Sequence, residues 1–327
     1  MKPGHRLQAP SCLGGPEYAA QLANRRNTNA QRSALLYWRE RWAKHAGDRI
    51  SLRDIPFVAR SGAITKASFR TVRLAVDEDE TLLLQAGQES LGITAYMLHL
   101  MAVLTVLAHY THRSRIAMWV HFANRADPSV QETVGMLANT HLIGVDMGGD
   151  PSFTELAVRV RRAVLGAIQF QDLPLDHLWQ SLGCMPRPDD AMVLLDVLEP
   201  VGWSDKTIHV DGLAIRRLEI HNDSGPRLSR LGIHVRAGDG HTSAGTIACR
   251  HVAELIPSHA VFALLDDVRT VLLNAAKAPT SAVSVVTAQL RGQYEATQDG
   301  GAMAEFLGLE SELLLHIPVA GADGAAE

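Results

Sequence analysis

The chain has 327 residues, 46% of them apolar and 20% charged, with a net charge of -4. That is enough chain for one large core or two smaller ones, and the mildly acidic balance excludes the basic surface that nucleic-acid phosphates require. Three scattered cysteines, Cys12, Cys184 and Cys249, form no C-x-x-C pair, which argues for reduced thiols in a cytoplasmic protein and against a disulfide framework or a cysteine zinc site.

In chain order, residues 1–15 read as a disordered N-terminus, with Pro3, Pro10 and two adjacent glycines. Residues 16–45 read as one helix, with Tyr18, Leu22, Leu35, Leu36, Trp38 and Trp42 as apolar points among charges. A polar loop occupies 46–66, and Ser68 to Val76 then alternates like a half-buried strand. Asp77 is the expected cap of a helix reaching about Gln85, with acidic residues in its first turn where the helix dipole favours them. Gly87 and Gly92 punctuate the chain beyond that helix. Leu91 to Tyr110 contains no Asp, Glu, Lys or Arg, so its length suits a bilayer. Thr94 stands where an N-cap would, and His99 and Thr105 interrupt the run, so the segment 94–110 is read as a buried core helix and no membrane is expected.

Ile116 to Phe122 is an apolar run suited to a central strand. A loop with Asn124, Arg125, Asp127 and Pro128 leads to a short strand from Thr140 to Val145. Pro151 opens a helix to about Gln169 with Phe153, Leu156, Val160, Val164 and Ile168 on one face. Met192 to Leu198, His209 to Glu219 and Arg230 to Arg236 read as strands, and Ser243 to Cys249 is expected to pair with the latter two across the Asp239-Gly240 turn. Glu254 to Ala276 reads as a helix, 280–299 as a linker, and Ala302 to Leu315 as a short amphipathic helix in a polar tail. Long helices between strands predict an α/β fold, a layered mixed β-sheet with flanking helices.

Four ordered segments resemble the condensation domains of nonribosomal peptide synthesis. Glu17-Tyr18-Ala19-Ala20, with Leu36-Tyr37-Trp38-Arg39-Glu40 after it, resembles the helix and tyrosine-tryptophan pair joining that family's two lobes. Phe122-Ala123-Asn124-Arg125 resembles the turn after its central strand. Val134-Gly135-Met136-Leu137-Ala138-Asn139-Thr140 resembles its valine-glycine-x-phenylalanine-x-asparagine-threonine motif, and Gln171-Asp172-Leu173-Pro174-Leu175-Asp176 its glutamine-aspartate motif. The resemblance covers roughly residues 16–290. It implies the chloramphenicol-acetyltransferase-like fold as a single C-terminal lobe over 16–285, with linker and tail from 286 to 327.

The departures are as informative. The family's H-H-x-x-x-D-G motif lies in the N-terminal lobe, and no His-His pair occurs in these 327 residues. Phe170 stands where a histidine usually heads the glutamine-aspartate motif, and the arginine-rich segment after it is reduced to Pro186-Arg187-Pro188-Asp189-Asp190. By resemblance, Gly135, Asn139 and Thr140 form the floor of a tunnel shared between lobes; as residues alone they also suit a plain turn into a strand. Asn124 and Arg125 contact a partner, pair with Asp172 inside the fold, or leave the arginine solvated at a loop, and the internal pair is the expectation. Gln171, Asp172 and Pro174 are expected to be structural, with Asp172 capping the turn before Pro174.

The 15 histidines include no H-E-x-x-H pattern, so no metal is expected. A replacement base needs a histidine with a steering partner in a cleft, and His141 and His121 are the candidates. The expectation is a truncated or split condensation-like protein with no bound cofactor, met by the phosphopantetheine arm of a carrier protein. It would act with a peptide synthetase or a complementary N-terminal lobe. The alternatives are a non-catalytic module recruiting a carrier protein or tailoring enzyme, and a stand-alone acyltransferase with a relocated base, possible as a homo-oligomer.

Overall fold

The structure, a computed structural model, describes residues 13–25, 28–59, 68–183, 192–198, 208–210, 213–215, 229–236 and 245–290. Two N-terminal helices, α1 (Gly15–Asn24) and α2 (Asn29–His45), lead to β1 (Phe69–Val76), α3 (Glu78–Leu91), α4 (Ala95–Tyr110), β2 (Arg115–Phe122) and β3 (Asn139–Asp146). Then come α5 (Phe153–Ile168), α6 (Leu175–Leu182), β4 (Met192–Leu198), β5 (Ile208–Val210), β6 (Leu213–Ile215), β7 (Ser229–Arg236), β8 (Gly245–Val252), α7 (Ser258–Lys277) and α8 (Val283–Thr287). Six strands form one mixed sheet in the order β1-β8-β7-β4-β2-β3. The central β2–β4 and β4–β7 pairs are parallel, and the outer pairs are antiparallel.

Local chemistry sets the helix starts. Asp77 and Glu80 make a reciprocal capping box on α3, as Ser152 and Glu155 do on α5. The Thr94 side chain accepts from the Met97 N–H at the start of α4. That helix is apolar on every side and buried almost throughout, so it sits between α3, α5 and α7 and the sheet. Among the described residues no single helix is long and apolar enough to cross a membrane.

Several expectations are corrected. Residues 16–45 are two helices, because the polar stretch after Asn24 has no apolar period and Thr28 caps α2 by accepting from Gln31 N–H. Leu13, placed in the disordered N-terminus, exchanges hydrogen bonds with Ser129 and Thr133. The loop after α2 is pinned to the sheet: Ile50 N–H donates to the Ala117 carbonyl at 2.8 Å, and Arg113 reaches Asp54 at 2.7 Å. In place of one strand over 209–219, β5 and β6 make a two-stranded ribbon of their own, and β8 pairs with β7 and β1 instead. The chain at 280–290, read as linker, lies against α5: Phe153 N–H donates to the Ser281 carbonyl, Ser284 binds Asp150, and Val286 and Leu290 are buried. The Asp239-Gly240 turn, the segment 186–190 and the tail helix at 302–315 fall outside the described residues.

Helix α3 runs past Gln85 to Leu91, with Gly87 inside it. Gly87 is a packing residue: a Cβ there would lie 2.5 Å from the Ala276 Cβ and 2.8 Å from its Cα, where α3 crosses α7. Ala in place of Gly gains about 1 kcal/mol of helix propensity, but forced overpacking against backbone costs about 1–3 kcal/mol. Gly87→Ala is therefore expected to lower stability, by up to about 2 kcal/mol, read as a reduced urea midpoint.

Candidate functional site

The motif segments converge on an open cleft of about 240 Å³ between α1 and the loops flanking β3. Tyr18 and Leu22 come from α1, Asn124 from the end of β2, Gly135 and Asn139 from the loop entering β3, and Asp172 and Pro174 from the turn between α5 and α6. Asn124 adopts the left-handed conformation, φ 55°, which Asn tolerates better than most residues. That turn aims its amide at α1, where Nδ2 donates to the Tyr18 hydroxyl at 2.9 Å. Burial holds the Tyr18 phenol above its ordinary value, against the opposing pull of the Asn124 bond.

Arg125 does not pair with Asp172. Its guanidinium donates to the carbonyls of Val130, Gln131, Thr133 and Gly135 at 2.8–3.1 Å, a fan that only a planar multi-donor head can fill. The fan braces the loop 128–135, where Val134 is 93% exposed, and beside it Met136, 95% exposed, lines the cleft. Asp172 instead accepts from Arg25 at 3.2 Å, with both side chains nearly half exposed. This pair takes the place of the expected turn cap and is worth little by itself.

Asn139 works backward into the fold. Its Nδ2 donates to the carbonyls of Gln171 and Leu173, at 3.0 and 2.6 Å, tying β3 to the turn that carries Asp172 and Pro174. Gln171 is buried, and its side chain donates to the Ile168 carbonyl. Thr140 is half-buried on the opposite face of β3, where its hydroxyl meets His121 Nδ1 at 2.8 Å.

His141, a candidate base, lies in the core and not in the cleft. It is fully buried and stacks on Trp38 with centroids 4.0 Å apart and planes 7° apart. Its Nε2 donates to the Gln171 carbonyl at 3.2 Å, and its Nδ1 has no partner among the described residues. Burial pushes its pKa down to about 4, only partly opposed by that hydrogen bond. Trp38 donates to the Phe170 carbonyl at 2.8 Å, and Tyr37 packs on the Phe170 ring, so the position that usually heads the motif with histidine is here an aromatic clamp.

Sequence reasoning assigned no site role to Tyr18, Leu22 or Arg25, although Tyr18 lies inside a quoted motif. The signal was the apolar face of α1, broken by one tyrosine. No histidine or cysteine lines the cleft, and among the described residues no group of His, Cys, Asp or Glu could hold a metal ion.

The six-stranded mixed sheet with its packed helices is the chloramphenicol-acetyltransferase-like fold of condensation domains. The first condensation domain of the CDA synthetase superposes with a TM-score of 0.65 at 17% identity, over 86% of this chain and 58% of that one. The X-domain in its complex with OxyB from teicoplanin biosynthesis gives 0.66 at 18%, over 88% and 62%. At such identities the likeness concerns the fold. The condensation-domain family model matches residues 2–197, more than half of the sequence, and the chain belongs to that family. Malpinin synthetase of Mortierella alpina is 27% identical over 219 residues, which is 66% of this chain and 3% of the synthetase. The chain thus spans a small fraction of that relative and about three fifths of each structural neighbour.

Two outcomes test this geometry. Arg125→Ala removes four bonds to one loop and is expected to cost about 1–3 kcal/mol, with faster thermolysin cleavage around Val134 to Leu137; Arg125→Lys, with a point charge, restores only part of both. For His141, the unfolded imidazole titrates near 6.5 and the folded one near 4. The unfolded state therefore binds more protons in that window, and stability falls as pH drops from about 7 to about 4, by on the order of 2–3 kcal/mol. Urea midpoints at several pH values read this fall. His141→Phe is expected to shrink it but not abolish it, because buried His99 is also held below its ordinary value.

Proposed function

We propose that this chain is a partner-dependent condensation protein of nonribosomal peptide synthesis, contributing one wall of an amide-forming site. The reading rests on one observation: motif residues from four separate segments line a single cleft that contains amide, phenol and carboxylate groups but no histidine. Such a wall can align an extended, amide-bearing chain such as a phosphopantetheine arm. Attack of an amine on a thioester also needs a group that manages the proton, and the cleft holds no base suited to it. A volume of about 240 Å³ lies below the few hundred to 1,000 Å³ of enclosed ligand sites, as expected of one wall awaiting another. Val134 on the braced loop and Met136 beside it supply apolar contact for the surface that closes it.

Reconstitution tests the proposal. The chain is mixed with a condensation lobe bearing the H-H-x-x-x-D-G motif and with acyl-loaded and aminoacyl-loaded carrier proteins. Amide product is expected only when both lobes are present, with Asn139→Ala and Met136→Asp lowering it. Product at the same rate without this chain, together with no detectable complex, rejects the reading.

A second reading, recruitment without catalysis, is supported by the lack of a His-His pair in the 327 residues and by the fold shared with an X-domain solved in complex with OxyB. Carrier or tailoring-enzyme binding without any effect on amide yield would select it.

A further inference from the structure

Helices α3 and α5 bound a second opening, of about 610 Å³, that shares no residue with the cleft. Its floor holds Ile93 and Met97, both buried, and its walls include Glu89 of α3 and Arg161 and Leu165 of α5. The rims are apolar and open to water. Leu165 is 50% exposed, and Val158, two turns earlier on the same stripe of α5, is 51% exposed. Leu82, two turns before Glu89 on α3, is 43% exposed. With Ile168 these are four of the nine large apolar side chains exposed among the described residues, gathered on two neighbouring helices. The charge is equally uneven. Helix α3 contains Glu78, Asp79, Glu80 and Glu89 and no Lys or Arg, while α5 contains Arg159, Arg161 and Arg162 against one acid, Glu155. Glu80 is engaged by Arg269 and Glu155 caps its own helix. Glu89, Arg161 and Arg162 are exposed and make no ion pair among the described residues.

We infer that this face is where two copies of the chain pair about a twofold axis, with α5 of each copy laid beside α3 of the other. A twofold interface must be self-complementary, each residue meeting in its partner what the partner meets in it. One wall of the opening is basic and the other acidic. The rotation therefore sets Arg161 and Arg162 of one copy against Glu89 of the other, and does so twice. Val158 and Leu165 then leave water together with Leu82. Pairing α5 with α5 fails on the same charges: Arg161 and Arg162 lie between Val158 and Leu165, and an antiparallel α5 pair would bring them onto themselves. A wholly acidic partner would satisfy α5 and be repelled by α3, and a wholly basic one the reverse. A second copy carries both signs in the required arrangement. Helices of 14 and 16 residues rise about 21 and 24 Å, so the face buries on the order of 500 Å² per copy, at the small end of specific interfaces. The dimer is accordingly a reversible one. None of this depends on the function proposed above.

The test is sedimentation velocity on the full chain over about 1 to 200 µM, the range of a small interface. A shift from monomer to dimer with concentration is expected, weaker at high salt. Arg161→Glu and Glu89→Arg each set like charges together at two places, and each is expected to weaken the dimer by about tenfold. Equal amounts of the two variants, mixed, are expected to recover it, because each supplies the charge that the other now needs. A contact of Arg161 with Glu89 inside one chain gives no recovery on mixing. Leu165→Asp, at a half-exposed position, is expected to leave only monomer. A monomer at every concentration, a dimer indifferent to Leu165→Asp, or weakened variants that stay apart when mixed overturns the inference. So does a dimer lost with Met136→Asp, which puts the contact at the cleft. A monomer that instead binds an acyl-loaded carrier protein through Leu165 also overturns it, and gives the face to a different occupant.

Discussion

One backbone carbonyl, that of Gln171, governs the arrangement. It accepts from Asn139 Nδ2 and from His141 Nε2, two side chains on the same face of β3. His141 is fully shielded from water and Asn139 partly so, so leaving the His141 bond unmade would cost the desolvation of a polar group with nothing in return. The turn after α5 is thereby fastened to the sheet edge, and the Trp38 ring closes over His141, drawing α2 into the same knot. Asp172 and Pro174 reach the cleft because of this fastening.

The same fastening divides the labour among the family motifs. Asn139, His141, Gln171 and Arg125 hold loops and strands to one another. Gly135, Asp172 and Pro174, with the buried Asn124 behind them, line the cleft, together with Tyr18 and Leu22 of α1. On the far face a second small cluster, Ala117, Trp119, Leu142 and Trp179 with Trp42 and Leu175 against it, packs α2 and α6 on the sheet. The two faces of β2 and β3 therefore carry different side-chain clusters.

Elements with a strong periodic signal were legible from residue types. The apolar run of β2, the Asp77 cap, the helix opened at Pro151 and the sealed helix α4 all lie within a few residues of where patterning placed them. Gly87 misled because a glycine in a helix marks either an end or a close crossing, and only the distance to Ala276 distinguishes these. The short ribbon of β5 and β6 carries too few residues for an alternating pattern to stop convincingly at its ends. At the site, the motifs were visible but their partners were not. That Arg125 would reach four carbonyls and Asp172 would meet Arg25 depends on the placement of a loop and of α1, and Arg25 stands 147 residues from Asp172 in the chain.

The strand order carries a consequence for the birth of the molecule. Strand β1 is an edge of the sheet whose single neighbour is β8, with Phe69 against Val252 and Val76 against Gly245. A nascent chain that has just made β1 holds a strand with no mate until roughly 170 further residues are synthesised, on the order of ten to thirty seconds at ordinary ribosomal speed. During that interval its hydrogen-bonding edge is open to any passing strand. Arg70 and Arg73, both exposed on β1, put charge on that waiting edge and so discourage aggregation during translation.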